Sequence, residues 1–327
     1  MQRYAFGPLV SRRLGVSLGV NNVPYKACTY SCVYCQLGRT LNLSITRREF
    51  YPWNEIVSDV VRAANEFRGR LDFITFVPDG EPLLDKNLGR EVEGIKGELS
   101  VPVAVITNGS LLFMEDPRAD LSGADLVSVK VDAVSEVTWR RVDRPHPALR
   151  LERVLEGVRE FASGYRGRLL TETMLVEGLN TGSGELEGIA SFIEALRPYR
   201  AYIAVPVRPP AEGFVRPPSP VSLVKAYEVF RGRLGEGRVE LLNLPSPPPP
   251  PAHGDPASWL LLTVSVHPLM VDHAVRSLSA VTDGPERLIS ELESRNLIKV
   301  VDYLGQRFLV ASFSPTARGQ AEGRGAG

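Results

Sequence analysis

The sequence predicts an α/β fold: a parallel sheet covered by helices and curled into a partial (β/α)6 barrel, followed by a small winged-helix-like unit. Three observations predict it. Apolar strands and amphipathic helices alternate about six times along the first three-quarters of the chain. The strands are continuously apolar, as in sheets buried on both faces. Polar and glycine residues cluster just after the strands, at the edge where parallel sheets carry their chemistry.

The elements follow in order. Helical spacing marks 52–67, and the short apolar run 71–77 is a strand ending before Asp79-Gly80-Glu81. A helix is expected over 86–96, then a strand over 101–106 that closes on Thr107-Asn108-Gly109. The run 125–131 is a strand, 149–161 a strongly amphipathic helix, 168–176 a strand and 185–196 a helix. A strand over 202–207 and a helix over 221–230 complete the series. The proline run 244–254 can continue neither helix nor central strand and reads as a stiff spacer. Beyond it, 259–266 is expected as a strand, 273–281 and 285–295 as helices, and 298–301 with 307–311 as a hairpin. The organisation is a barrel over 1–244, a linker over 245–255, a winged-helix-like unit over 256–313 and a flexible tail over 314–327.

Composition narrows the classes. With 43% hydrophobic and 23% charged residues, the chain is neither disordered, coiled coil nor collagen. No apolar run approaches the ~18 residues that span a bilayer. The start of the chain lacks an apolar core followed by a small-residue cleavage site. The expectation is a soluble, cytoplasmic protein with no membrane partner. The 38 basic and 38 acidic residues cancel, yet residues 1–50 hold seven basic residues against Glu49 alone, a net +6. Such a cluster is expected to face an anion.

All three cysteines, Cys28, Cys32 and Cys35, fall within eight residues. An odd number packed so tightly is a metal site rather than a disulfide framework. Three thiolates on one loop can hold three irons of a [4Fe–4S] cube and leave the fourth open to a small molecule. A tetrahedral zinc site would need a fourth ligand, and all four histidines lie more than 100 residues away.

This C-x3-C-x2-C spacing, with Tyr34 before the last cysteine, resembles the radical SAM superfamily. The resemblance implies one [4Fe–4S] cluster and S-adenosylmethionine as cofactors. It also implies reductive cleavage of the sulfonium to a 5′-deoxyadenosyl radical that abstracts hydrogen from substrate. An electron donor such as ferredoxin or flavodoxin follows. Gly80-Glu81-Pro82 looks like the segment that holds the methionine amino group. Ser128, Lys130 and Asp132, spaced by two, share a face and match the ribose and carboxylate contacts. Thr107 and Asn108 would touch the cofactor or cap the next helix. Tyr34 and Val205-Pro206 would pack near adenine. Longer strings, including Phe6–Gly15, Asp143–Pro147 and Arg208-Pro-Pro, resemble an Fe–S oxidoreductase branch related to wyosine (tRNA) synthases. Unlike a wyosine synthase, the chain has no cysteines for a second cluster. Lys26 is the nearest candidate for a Schiff-base lysine.

The arginines bear on substrate. Arg12, Arg13, Arg140, Arg141, Arg144 and Arg208 flank the cysteine loop or strand ends. They point to an anionic substrate, a phosphometabolite, nucleotide or RNA; the plainer reading pairs each with Glu or Asp. His146, flanked by prolines, is a proton shuttle, a substrate contact or a turn-stabilising hydrogen-bond partner. Glu172 faces either the lumen or the helices, and inward it would contact substrate. Residues 256–327 carry seven basic and seven acidic residues, so DNA binding is not expected and a lid or protein contact is favoured. A reading from another class makes the chain an iron–sulfur or zinc regulator that binds nucleic acid through its winged helix.

Overall fold

The structure is a computed structural model and describes residues 3–312. The expected tail lies outside the described residues, as does residue 313 at the end of the expected C-terminal unit.

An antiparallel pair, β1 (Ala5–Ser11) and β2 (Gly15–Val20), opens the chain. The cysteine loop follows and contains a two-residue parallel ladder, β3 (Ala27–Cys28) with β4 (Asn42–Leu43). Then come α1 (Trp53–Glu66), β5 (Phe73–Phe76), a 3-10 turn (Pro82–Leu84), α2 (Leu88–Glu98) and β6 (Val103–Thr107). Next are α3 (Glu115–Leu121), β7 (Leu126–Lys130), α4 (Glu136–Val142), α5 (Leu151–Gly164) and β8 (Arg168–Met174). The barrel closes its run with α6 (Ser183–Leu196), β9 (Arg200–Ala204), α7 (Pro220–Leu234) and β10 (Val239–Leu242).

One eight-stranded sheet runs β1-β2-β5-β6-β7-β8-β9-β10. Every neighbouring pair from β2 to β10 is parallel, and only β1 is antiparallel. Six strand–helix units are therefore present as expected, with an extra strand at each edge. The curled sheet is the partial barrel the sequence predicts.

Strand alternation separates two cores. Val103, Val105, Val127, Val129, Ala201 and Ile203 face outward and bury against the helices. Ala104, Leu126, Leu170, Tyr202, Ala204 and Leu242 face inward and fill the floor of the barrel. The helices present matching faces: α1 buries Ile56, Val57 and Val60, and α5 buries Val154, Val158 and Phe161. Every parallel strand delivers its C-terminal end to the same rim.

The C-terminal part has its own apolar core, built on Trp259, Leu260, Leu278, Ile289 and Leu309. It comprises α8 (Pro256–Val266), β11 (Leu269–Met270), α9 (Val271–Leu278), α10 (Pro285–Ser294), β12 (Ile298–Tyr303) and β13 (Gln306–Ala311). Its sheet order is β11-β13-β12, all antiparallel. The strand expected over 259–266 is instead the helix α8. That run is apolar on all sides, and periodicity cannot separate a buried strand from a buried helix there. The signals that decide lie upstream: the Asp255 carboxylate accepts from the Ser258 amide at 2.7 Å, and Pro256 occupies the first turn. The proline run is docked rather than free. The Pro249 carbonyl accepts from the Ser277 hydroxyl at 3.2 Å, and the Ala252 amide donates to the Ser277 carbonyl at 2.8 Å. Among the described residues, no helix is long and apolar enough to cross a membrane.

Candidate active site

The rim formed by the strand ends encloses a cleft of about 380 Å³, within the range of small-molecule sites. The cysteine loop after β2 supplies Cys28, Cys32 and Cys35 to its wall, and the turn after β5 supplies Gly80. Lys130 and Glu172 enter from β7 and β8, and Val205 and Arg208 from beyond β9. Arg12 and Arg13 reach it from the β1–β2 turn.

Each thiol has a polar neighbour. The Lys26 ammonium lies 3.2 Å from Cys35 Sγ, and Cys32 Sγ lies 3.4 Å from Asp143 Oδ1. The Asn108 amide approaches Cys28 Sγ at 3.8 Å and donates to Thr29 Oγ1 at 2.7 Å. Burial, with the nearby Glu81 carboxylate, pushes the Cys28 thiol up to about 12. Burial followed by Asp143 pushes Cys32 well above the ordinary thiol range. Thiols held this way release protons when a metal takes them.

Gly80 is required by close packing: a Cβ there would stand 2.0 Å from the Ala27 carbonyl oxygen. Glu81 is a buried clasp. Its carboxylate accepts from Thr107 Oγ1 at 2.5 Å, the Asn108 amide at 2.8 Å and the Leu83 amide at 3.1 Å. Burial still pushes this carboxyl up to about 7 against those three bonds. Glu81 and Thr107 thus brace the rim from behind, and Pro82 begins the buried turn beside them.

Glu172 faces the lumen, which settles its orientation. It bridges Lys130, at 3.1 Å, and Arg13. Burial alone would raise its carboxyl, but the two cations outweigh burial and hold it down at about 2. Lys130 also lies 3.5 Å from Asp132 and 4.8 Å from the Tyr34 ring centre. The Tyr34 hydroxyl donates to Asp132 and lies 3.2 Å from Asp143. Asp132 further accepts from the Met174 amide at 2.6 Å. Ser128 points inward one pleat below Lys130, and its buried Oγ has no partner among the described residues.

Several expected contacts are elsewhere. Arg144 pairs with Glu212, which Arg39 also grips through two bonds of 2.8 and 2.9 Å. Arg140 pairs with Glu136 one helical turn away, at 2.6 Å. His146 accepts from the Ala148 amide at 3.2 Å through Nδ1, the turn-stabilising role. None of these three lines the cleft, and neither does Arg141. The +6 stretch is also dispersed: Arg47 pairs with Asp120 and Arg48 packs 4.7 Å over the Phe50 ring centre.

Sequence reasoning missed Asp143, Gln36, Ser246 and His267. Asp143 sits inside a string already singled out, but nothing local shows what it faces. The C-terminal part reaches the cleft through Val266 and His267. The Tyr303 hydroxyl also donates to the Pro206 carbonyl at 2.9 Å.

Among the described residues, no three Cys, His, Asp or Glu side chains close on a single metal ion. The tetrahedral zinc alternative therefore lacks a ligand set there. A cube is different, because each thiolate meets its own iron.

The profile of the radical SAM superfamily matches residues 22–191. The UPF0026 protein MJ1312 of Methanocaldococcus jannaschii is 43% identical over 240 residues, 73% of this chain and 74% of that one. A protein of Brachyspira hyodysenteriae named GTPase Obg is 36% identical over 203 residues, covering 62% of this chain and 30% of its own length. A radical SAM methyltransferase of Sphaerobacter thermophilus superposes with a TM-score of 0.51 at 16% identity, over 69% of this chain and 66% of that one. That likeness is one of fold. Radical SAM enzymes use a [4Fe–4S] cluster and S-adenosylmethionine, and a cleft lined by three half-buried thiols on one loop fits the cluster. On this sequence match and this fold, the chain belongs to the radical SAM superfamily.

Proposed function

We propose that Cys28, Cys32 and Cys35 hold a single [4Fe–4S] cluster, and that the enzyme abstracts hydrogen from an anionic substrate bound beside it. One observation carries the reading: the three thiols, Gly80 and a surplus of cations line the same cleft. When bound and reduced, the cluster supplies one electron that cleaves S-adenosylmethionine to methionine and a 5′-deoxyadenosyl radical.

The chain's own residues bind, orient and exclude water. Gly80-Glu81-Pro82 orients the methionine end through its backbone, with Thr107 and Asn108 acting as positioning residues on the Glu81 carboxylate. Lys130 forms the polar wall for the ribose and carboxylate, with Asp132 and the Ser128 hydroxyl buried behind it as positioning groups. Tyr34 and Val205 supply apolar surface for adenine. Arg12, Arg13, Glu172 and Arg208 form the substrate end. The C-terminal part, read as a winged-helix-like unit after a 245–255 linker, covers the mouth as a lid. Its helices and three-stranded sheet support that reading, and its equal numbers of acids and bases disfavour a DNA-binding role. A ferredoxin or flavodoxin in the cytoplasm would deliver the electron.

Anaerobic reconstitution tests the proposal. The chain should take up about four irons per three cysteines and, with dithionite, release 5′-deoxyadenosine from S-adenosylmethionine. Cys32→Ala should lose both. An intact cluster that yields no 5′-deoxyadenosine would defeat the reading.

A further inference from the structure

Five basic side chains line the cleft (Arg12, Arg13, Lys26, Lys130 and Arg208) against two acidic ones, Asp79 and Glu172. Three of the five have a local anionic partner or a thiol. Lys26 sits on Cys35, and Arg13 and Lys130 share Glu172. Arg12 and Arg208 do not. Arg12 donates to the Leu244 carbonyl. Arg208 donates to Gln36 Oε1 at 3.1 Å, Ser246 Oγ at 2.8 Å and His267 Nε2 at 3.0 Å. All of these partners are neutral, and among the described residues neither arginine forms an ion pair. Burial, then repulsion from Arg13 and Arg12, pulls the Arg208 guanidinium down to about 10. Glu240 acts on Arg12 and Glu172 on Arg208 only from beyond contact distance. A partly buried cation with no carboxylate in contact is costly, and an incoming anion relieves that cost.

We infer that the mouth of the cleft is a phosphate-binding subsite: Arg12 and Arg208 receive a phosphate monoester dianion, and Ser246 and His267 hold Arg208 in place. Two unpaired guanidinium groups balance a dianion, and their planar forks suit phosphate oxygens. His267 accepts from Arg208 through Nε2, and burial and Arg208 together keep its imidazole neutral. It therefore positions the arginine rather than competing for the ligand. Gln36 follows the last cysteine directly, accepts from Arg208 and donates to the Val266 carbonyl at 3.1 Å. One side chain thus ties the cysteine loop, the subsite and the C-terminal part together. The inference deepens the proposed function by naming the substrate's anionic group, and it rests on that reading only for what lies at the other end of the cleft.

Calorimetry on the cluster-loaded full chain with S-adenosylmethionine tests it. The probes are inorganic phosphate, glucose 6-phosphate, acetate and an oligo(U) RNA, all at matched ionic strength. Phosphate and the monoester should bind at least about tenfold more tightly than acetate. Arg12→Gln and Arg208→Gln should each weaken them about tenfold or more, the loss expected for one charge-assisted hydrogen bond. Iron content and circular dichroism identify variants that fold. Among the described residues the hydrogen bond of the Arg12 guanidinium goes to a backbone carbonyl, so Arg12→Gln decides the matter even if Arg208→Gln fails to fold. Equal binding of acetate, binding of RNA without the monoester, or an Arg12→Gln variant that binds phosphate like the parent would each overturn the subsite. Release of 5′-deoxyadenosine by the parent is measured separately. Phosphate binding without that release would remove the radical chemistry and leave the subsite standing.

Discussion

Replacing Glu172 with Gln removes the one carboxylate between Lys130 and Arg13 while keeping its shape. Glu172 is 12% exposed, and its two cations are 17% and 19% exposed, so solvent screens the pairs weakly. The carboxyl sits at about 2 in the fold against 4.5 ordinarily. At about 1.36 kcal/mol per pKa unit, that difference is worth about 3.4 kcal/mol at neutral pH. Breaking a buried pair from one side costs about 3–5 kcal/mol, the same size. The sign follows from the direction of the shift. A depressed carboxyl stabilises the fold above its unfolded value, and that contribution is lost as pH falls from about 4.5 through 2. Urea unfolding of the cluster-free chain checks this. The parent should exceed Glu172→Gln by about 3 kcal/mol at pH 7 and by about 1.4 kcal/mol at pH 3. A gap that does not shrink on acidification would refute the ion-pair account of Glu172.

Three further outcomes are expected. Gly80→Ala drives a Cβ to 2.0 Å from the Ala27 carbonyl oxygen; backbone must move, so unfolding should come about 2 kcal/mol or more easier, and reconstituted iron should fall. Glu91, fully buried beside Asp85, has its carboxyl pushed up to about 9, by burial first and then by Asp85. The unfolded chain sheds that proton from about pH 4.5, so stability should fall as pH rises from 4.5 to 9; Glu91→Gln should gain up to about 3 kcal/mol at pH 7, and denaturant melts at pH 5.5 and 8.5 should show the gap widening. Asp255→Ala removes the cap of α8 and should cost about 1 kcal/mol, read by thermal melting, whereas a strand over 259–266 would be indifferent to it.

Much of the barrel was legible because its signals are local. The expected strands 71–77, 101–106, 125–131, 168–176 and 202–207 each overlap an observed strand, since continuous apolar runs with turn residues behind them have few other uses. The strands β1, β2 and β10 and the seven-residue helices α3 and α4 are absent from the expected series. They are too short, or too broken by Gly7 and Pro8, to show a period.

The sequence by itself determined the fold class, the three-thiol loop and the rim on which polar residues gather. Those depend on repeats of two and 3.6 residues and on spacing within one loop. Only the tertiary structure decided which charges meet. It paired Arg144 with Glu212, turned Glu172 inward and set Arg12 against Leu244, 232 residues away. Among the described residues it also left Arg12 and Arg208 with neutral hydrogen-bond partners and no carboxylate in contact. A side chain's partner is fixed by which strand ends and loops converge, and no local period carries that information.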